Sequence, residues 1–175
     1  MNMTRQGWFV PVLAAAAMCW GSTLAAQDND APEGNQTTLA KALLGARVSL
    51  ERGLAASASH GQAISAKFEM EEGKLQLSVY TLKEGKYFEV IVDHNSGKVV
   101  KAEPITEDED YTAARSQSTA MAKAKGSLRA AVEHALRGNA GFHAISVTPS
   151  LKDGTAVVEI TLAKGQEFKT VSVPL

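Results

Sequence analysis

The sequence predicts an α+β protein of two tandem units, each a helical stretch followed by an antiparallel β-meander, with four strands in the first unit and three in the second. Three observations carry this reading. Apolar residues step by three and four and then switch to strict alternation, in that order, twice along the chain. Ala63-Ile64-Ser65 recurs as Ala144-Ile145-Ser146, and the same offset of 81 residues carries Gly73 onto Gly154, Tyr87 onto Phe168, Val90 onto Val171 and Val92 onto Val173. Short Gly-containing turns separate the alternating runs as they do in hairpins.

Residues 1–26 read as a secretory signal peptide. Arg5 supplies the positive start, Trp8 to Trp20 the apolar stretch, and Ser22-Thr23-Leu24-Ala25-Ala26-Gln27 the small residues at which a signal peptidase cuts, after Ala25 or after Ala26. The apolar run covers 13 residues, short of the roughly 20 that a membrane span needs. Cys19 follows Met18 rather than a small residue, which departs from a lipobox, and it leaves with the signal. The mature chain therefore has no cysteine and draws no disulfide support from an oxidising compartment. The expected address is the periplasm, with no stable membrane span after cleavage.

Residues 27–36 are polar and read as a flexible lead-in, and residues 37–104 form the first unit. Leu39, Leu43, Ala46, Leu50 and Leu54 fall on one helical face, with Thr37 or Thr38 able to cap its start. Gly45 interrupts the stretch and Ser49 is a good N-cap, so one helix and two consecutive helices both fit. Strands follow at 64–71, then from Leu75 through Leu77, Val79 and Thr81, then at 86–93 and 98–103, joined by Glu72-Gly73, Glu84-Gly85 and His94-Asn95-Ser96-Gly97. An acidic linker, 105–111, leads to the second unit at 112–175, where Met121, Ala124, Leu128, Val132 and Leu136 repeat the helical face and Gly126 with Ser127 repeats the ambiguity. Strands at 144–151, 155–162 and 167–173 complete it. Units of this size usually gain by burying a shared interface. The expected core sets Ile64, Leu75, Leu77, Val79, Val90 and Val92 against Leu50 and Leu54, and Ile145, Val158, Ile160, Val171 and Val173 against Leu128 and Val132.

Several of these residues together resemble a PepSY domain. Ser49-Leu50-Glu51 opens a short helix, Gly61 closes it, Ala63-Ile64-Ser65 enters a strand, and Tyr87-Phe88-Glu89-Val90-Ile91-Val92-Asp93 runs into the Asn95-Ser96-Gly97-Lys98-Val99-Val100 hairpin. The likeness covers about residues 45–104, and 122–175 more loosely: the second copy has Phe168-Lys169 where the first has Phe88-Glu89 and lacks the terminal hairpin. PepSY domains are exported bacterial modules and form part of the propeptides of thermolysin-like metallopeptidases. The resemblance implies a noncatalytic module that binds a protein partner, with binding or inhibition of a peptidase in the cell envelope as its specific form. It brings no catalytic residues with it.

The residues themselves offer little chemistry. With 18 basic against 19 acidic side chains the chain carries no field that would attract nucleic acid. Asp93 and His94 are adjacent at a polar turn and point apart rather than converge. His60, His134 and His143 lie near expected helix ends, at no metal-ligand spacing. Glu103, Glu107, Asp108, Glu109 and Asp110 form a dense acidic cluster without a calcium-loop pattern. No serine sits in Gly-x-Ser-x-Gly. The expectation is therefore a protein that is not an enzyme, with no catalytic residue, cofactor or metal. An envelope sensor or binder of a small ligand or divalent cation, using the acidic linker, is the alternative. The candidate partner-binding edge is Thr170, Val171, Ser172 and Val173: a three-strand sheet ending near Val173-Pro174-Leu175 leaves a ladder open, either to the first unit's own sheet or to an extended partner segment.

Overall fold

The computed structural model describes residues 33–106 and 108–175. The expected signal peptide, with Ala25 and Ala26, lies outside the described residues. In chain order, α1 (Glu33–Leu43), α2 (Leu50–Ala56) and a 3₁₀ turn (Ser57–His60) precede β1 (Gln62–Glu71), β2 (Lys74–Lys83), β3 (Lys86–Val92) and β4 (Val99–Pro104). Two further helices, α3 (Asp108–Met121) and α4 (Leu128–Arg137), precede β5 (His143–Lys152), β6 (Thr155–Lys164) and β7 (Glu167–Pro174).

Caps settle the one-or-two-helix question in favour of two on each side. The Ser49 hydroxyl accepts from the Arg52 N–H at 3.3 Å and the Ser127 hydroxyl from the Ala130 N–H at 3.2 Å, so each serine starts a new helix. Two boundaries differ from expectation. α1 begins at Glu33, inside the segment expected as a flexible lead-in at 27–36, and α3 begins at Asp108, inside the expected acidic linker at 105–111. Glu109 and Asp110 thus lie in the first turn of a helix, where carboxylates are favoured by its partial positive charge.

Glu72-Gly73, Glu84-Gly85 and Asp153-Gly154 each hold two successive residues at positive φ, between 49° and 76°. Such turns match the right-handed twist of the strands they join and fix the hairpin registers. The strands form one antiparallel sheet in the order β4-β3-β2-β1-β5-β6-β7. Its two groups of strands meet where β1 pairs with β5, at Ala66 with Val147 and Lys67 with Ser146. Ala66 and Val147 are themselves related by the sequence offset of 81 residues. Bulges interrupt β1 between Ala63 and Ser65 and β5 between Ala144 and Ser146, leaving Ile64 and Ile145 as the extra residues. The junction is short, and Pro149, which cannot donate to a ladder, lies beyond its end.

The main core lies between one face of the sheet and α2 with α4. Leu50, Leu54, Leu128 and Val132 are buried there with Ile64, Leu77, Val79, Val90, Val92, Val147, Val158 and Ile160. Leu75, Val171 and Val173, expected in the core, are only half-buried: Leu75 is next to the β1–β2 turn, and the two valines are on the outermost strand. Gly53 lets α2 approach β2, since a Cβ there would sit 2.6 Å from Leu77 Cδ2. α3 packs on the opposite face, where the Ser65 hydroxyl donates to Gln117 Oε1 at 2.7 Å and Tyr111 meets the Tyr87 ring edge-on at 5.2 Å.

Candidate functional site

Among the described residues strand β7 ends the sheet, and its neighbour in the strand order is β6. One hydrogen bond fixes its phase. The Leu175 N–H donates to the Ala156 carbonyl at 3.0 Å, making these two a hydrogen-bonded pair. In an antiparallel ladder such pairs alternate with pairs whose backbone groups point away from each other. With Val158 opposite Val173, Ile160 opposite Val171 and Leu162 opposite Lys169, those three β7 residues direct their backbone to β6. Phe168, Thr170, Ser172 and Pro174 direct theirs outward.

The expected edge Thr170, Val171, Ser172 and Val173 therefore splits by role. Ser172 and Thr170 present backbone to the outside, whereas Val171 and Val173 present side chains to the half-buried rim of the core. Pro174 falls at an outward position, where its missing N–H costs no bond to β6. The strand order removes one of the two acceptors considered for this ladder. The first group of strands is joined through β5, and β7 lies at the far end of the sheet from it.

The rim beside β7 has a definite chemistry. Lys169 Nζ lies 3.8 Å from the centroid of the Phe142 ring and Lys164 Nζ lies 5.7 Å from it, and Glu167 lies opposite Lys164 in the ladder. Val171, Val173 and Leu175 continue this rim as half-buried apolar side chains packed against the core.

The other residues singled out in the sequence are not brought together. Asp93 Oδ1 accepts from the Ser96 N–H at 2.7 Å and from the Ser96 hydroxyl at 2.6 Å, which holds its carboxyl below the usual aspartate range. That is turn chemistry. His94 contributes its carbonyl, which accepts from the Arg47 and Val48 N–H groups, while its Nδ1 is buried without a partner. His134 lies in the last turn of α4, where its Nδ1 accepts from Arg137. His60 ends the 3₁₀ turn and His143 begins β5 rather than ending a helix. Among the described residues no three His, Cys, Asp or Glu side chains are grouped to hold a metal ion.

One arrangement escaped sequence reasoning. On the face of the sheet that α3 partly covers, the Ser78 hydroxyl donates to Glu69 Oε1 at 2.8 Å, Gln76 Nε2 donates to the Ser78 oxygen at 2.9 Å, and Lys67 Nζ pairs with Glu69 Oε2 at 2.7 Å. Tyr80 sits among them. Burial first, and then the carboxylates of Glu69, Glu89, Asp110 and Glu71, keep its phenol protonated far above the ordinary tyrosine range. The signal was the polar half of the alternation in β1 and β2, which reads equally well as a solvated face.

No family model and no curated protein matches the sequence. Its fold overlaps in part with that of a candidate lipoprotein of Clostridium difficile 630, at 14% identity, over 67% of this chain and 78% of that one, with a TM-score of 0.39. That superposition is too loose to carry function across. Among the described residues no helix is long and apolar enough to cross a membrane.

Proposed function

We propose that this chain is a noncatalytic, exported PepSY-like protein that captures a protein partner by adding a strand to β7. Two PepSY-like units, 37–104 and 112–175, would then share one sheet, and a partner would pair with the outward side of β7. The observation that carries the proposal is the register of β7, which turns the backbone of Phe168, Thr170 and Ser172 away from β6 at the end of the sheet. Main-chain bonding of this kind needs no catalytic residue. Binding or inhibition of a peptidase in the cell envelope is the specific form that the PepSY resemblance suggests. The periplasmic address follows from the signal sequence at residues 1–26.

The test is affinity capture from a cell-envelope extract with the unmodified chain and with Ser172→Pro, followed by identification of the captured protein. The proline removes an outward N–H and no bond to β6, so thermal unfolding should be preserved while capture is lost. Capture that persists with Ser172→Pro overturns strand addition.

A further inference from the structure

We infer that the corner at the β4 end of the sheet, where the α1–α2 and β3–β4 connections meet, rests on an anionic phospholipid surface. This contact goes beyond strand addition and does not depend on it. The two connections are tied together by backbone: the His94 carbonyl accepts from the Arg47 N–H at 2.9 Å and from the Val48 N–H at 3.1 Å. They also touch, since a Cβ on Gly97 would sit 2.7 Å from Arg52 Nε and 3.4 Å from Val48 Cγ2. Leu44 is three residues before Arg47 and Val100 is three after Gly97, so the chain keeps each within about 10 Å of this contact.

Leu44, at 81%, and Val100, at 64%, are the most exposed large apolar side chains among the described residues. A single exposed leucine is ordinary, but the two most exposed sit on joined connections with cations beside them. Lys41, Arg47, Arg52 and Lys98 are all exposed, and among the described residues none of the four forms an ion pair. The carboxylates nearest to them in the chain are Glu51 and Asp93, and Asp93 already accepts two hydrogen bonds from Ser96. Cations therefore prevail at this corner of a chain whose overall charge is nearly balanced. Free phosphate would answer the cations and leave Leu44 and Val100 in water. An anionic bilayer answers both, because its headgroups take the ammonium and guanidinium groups while the apolar side chains reach the acyl boundary. β4 and β7 lie at opposite ends of the strand order, so a chain held by this corner keeps β7 free.

The test is co-sedimentation of the full chain as exported, its N-terminus verified by sequencing, with vesicles of phosphatidylcholine and with vesicles of equal phosphatidylcholine and phosphatidylglycerol. Binding to the mixed vesicles should be about tenfold tighter or more, and it should weaken as salt rises. Arg47→Gln and Lys98→Gln should each weaken it about fivefold, the worth of one cation near the surface. Leu44→Ser should weaken it about tenfold through lost insertion. These side chains are exposed, so the unfolding midpoint should stay in place. Leu151→Ser, which removes an exposed leucine on β5, should leave binding unchanged. Equal binding to the two kinds of vesicle, or binding indifferent to Arg47→Gln and Lys98→Gln, overturns the anionic surface. Full binding by Leu44→Ser shows attraction to phosphate alone and overturns the bilayer contact, and an equal loss with Leu151→Ser overturns its placement at this corner. None of these outcomes touches the capture experiment on β7.

Discussion

The two edges of the sheet are finished differently, and β7 matches β3 rather than β4 at the offset of 81 residues. At β4, the Ile105 N–H donates to the Tyr87 carbonyl at 2.9 Å, so Glu103 and Lys101 direct their backbone to β3 while Ala102 and Pro104 direct theirs outward. A register irregularity between Val99 and Lys101 ends the regular ladder on one side and Pro104 ends it on the other, leaving Ala102 as the one regularly placed outward donor of β4. Lys101 and Glu103 pair at 2.7 Å along the strand. A bulge, a proline and charges are the devices by which natural sheets blunt an edge. β7 has a terminal proline too, but its register is unbroken and three consecutive outward positions precede it. The difference teaches that, among the described residues, the ladder of β7 keeps a regular register whereas that of β4 is interrupted.

The largest effect expected concerns whether the two halves stand apart at all. Leu128 is 2% exposed and shares its core with Leu50, which is fully buried. Leu128→Ala should destabilise the protein by about 2–5 kcal/mol. The loss should appear as a single unfolding transition, seen alike by circular dichroism and by the fluorescence of Tyr80 and Tyr87 in the first half. Two transitions, with the tyrosine signal unmoved, would show that the halves fold separately.

Gly53 and Ala131 occupy equivalent places in α2 and α4, and the next effect tests how differently they are packed. Gly53→Ala forces a methyl against Leu77 and should cost about 1–3 kcal/mol by denaturant unfolding. Ala131→Gly removes a methyl the second half accommodates and should cost about 1 kcal/mol, largely through helix propensity. Reversal of that order would mean that the two helices approach the sheet alike.

On β7 itself, Val171→Pro removes a donor that faces β6 and should cost about 1–3 kcal/mol, whereas Ser172→Pro should leave the unfolding midpoint nearly unchanged. Equal losses would place the ladder in the other phase.

The smallest effect belongs to Asp93. Its carboxyl is held below the ordinary range by Ser96, so the stability it contributes is present near neutrality and lost as the pH falls through and below the aspartate range. Ser96→Ala should flatten the acid limb of a stability profile there and leave the neutral limb in place.

Much of this arrangement was legible in the sequence, for reasons that differ by element. The strands were readable because their period of two is bounded by Glu-Gly and Asp-Gly pairs, whose backbone demands are strong. The breaks before α2 and α4 were readable as possibilities, and the serine caps decided them. The starts of α1 and α3 were not, because polar and acidic residues suit a linker and a first helical turn equally. The joining of β1 to β5 was hidden as well, since pairing between distant strands leaves no local signature and the bulges at Ile64 and Ile145 shift the register. For the candidate edge, chain position suggested β7, but only the Leu175 to Ala156 bond separates outward Ser172 from inward Val171.

Residue-resolved amide exchange by NMR, on the free chain and with the captured partner bound, tests the account most directly. In the free chain Lys169, Val171 and Val173 should be protected and Phe168 and Ser172 should exchange quickly. The partner should then protect Phe168 and Ser172 and leave Ala102 on β4 unchanged. Protection of Phe168 and Ser172 in the free monomeric chain, or protection by the partner that appears at Ala102 instead, would contradict the proposal that β7 receives a partner strand.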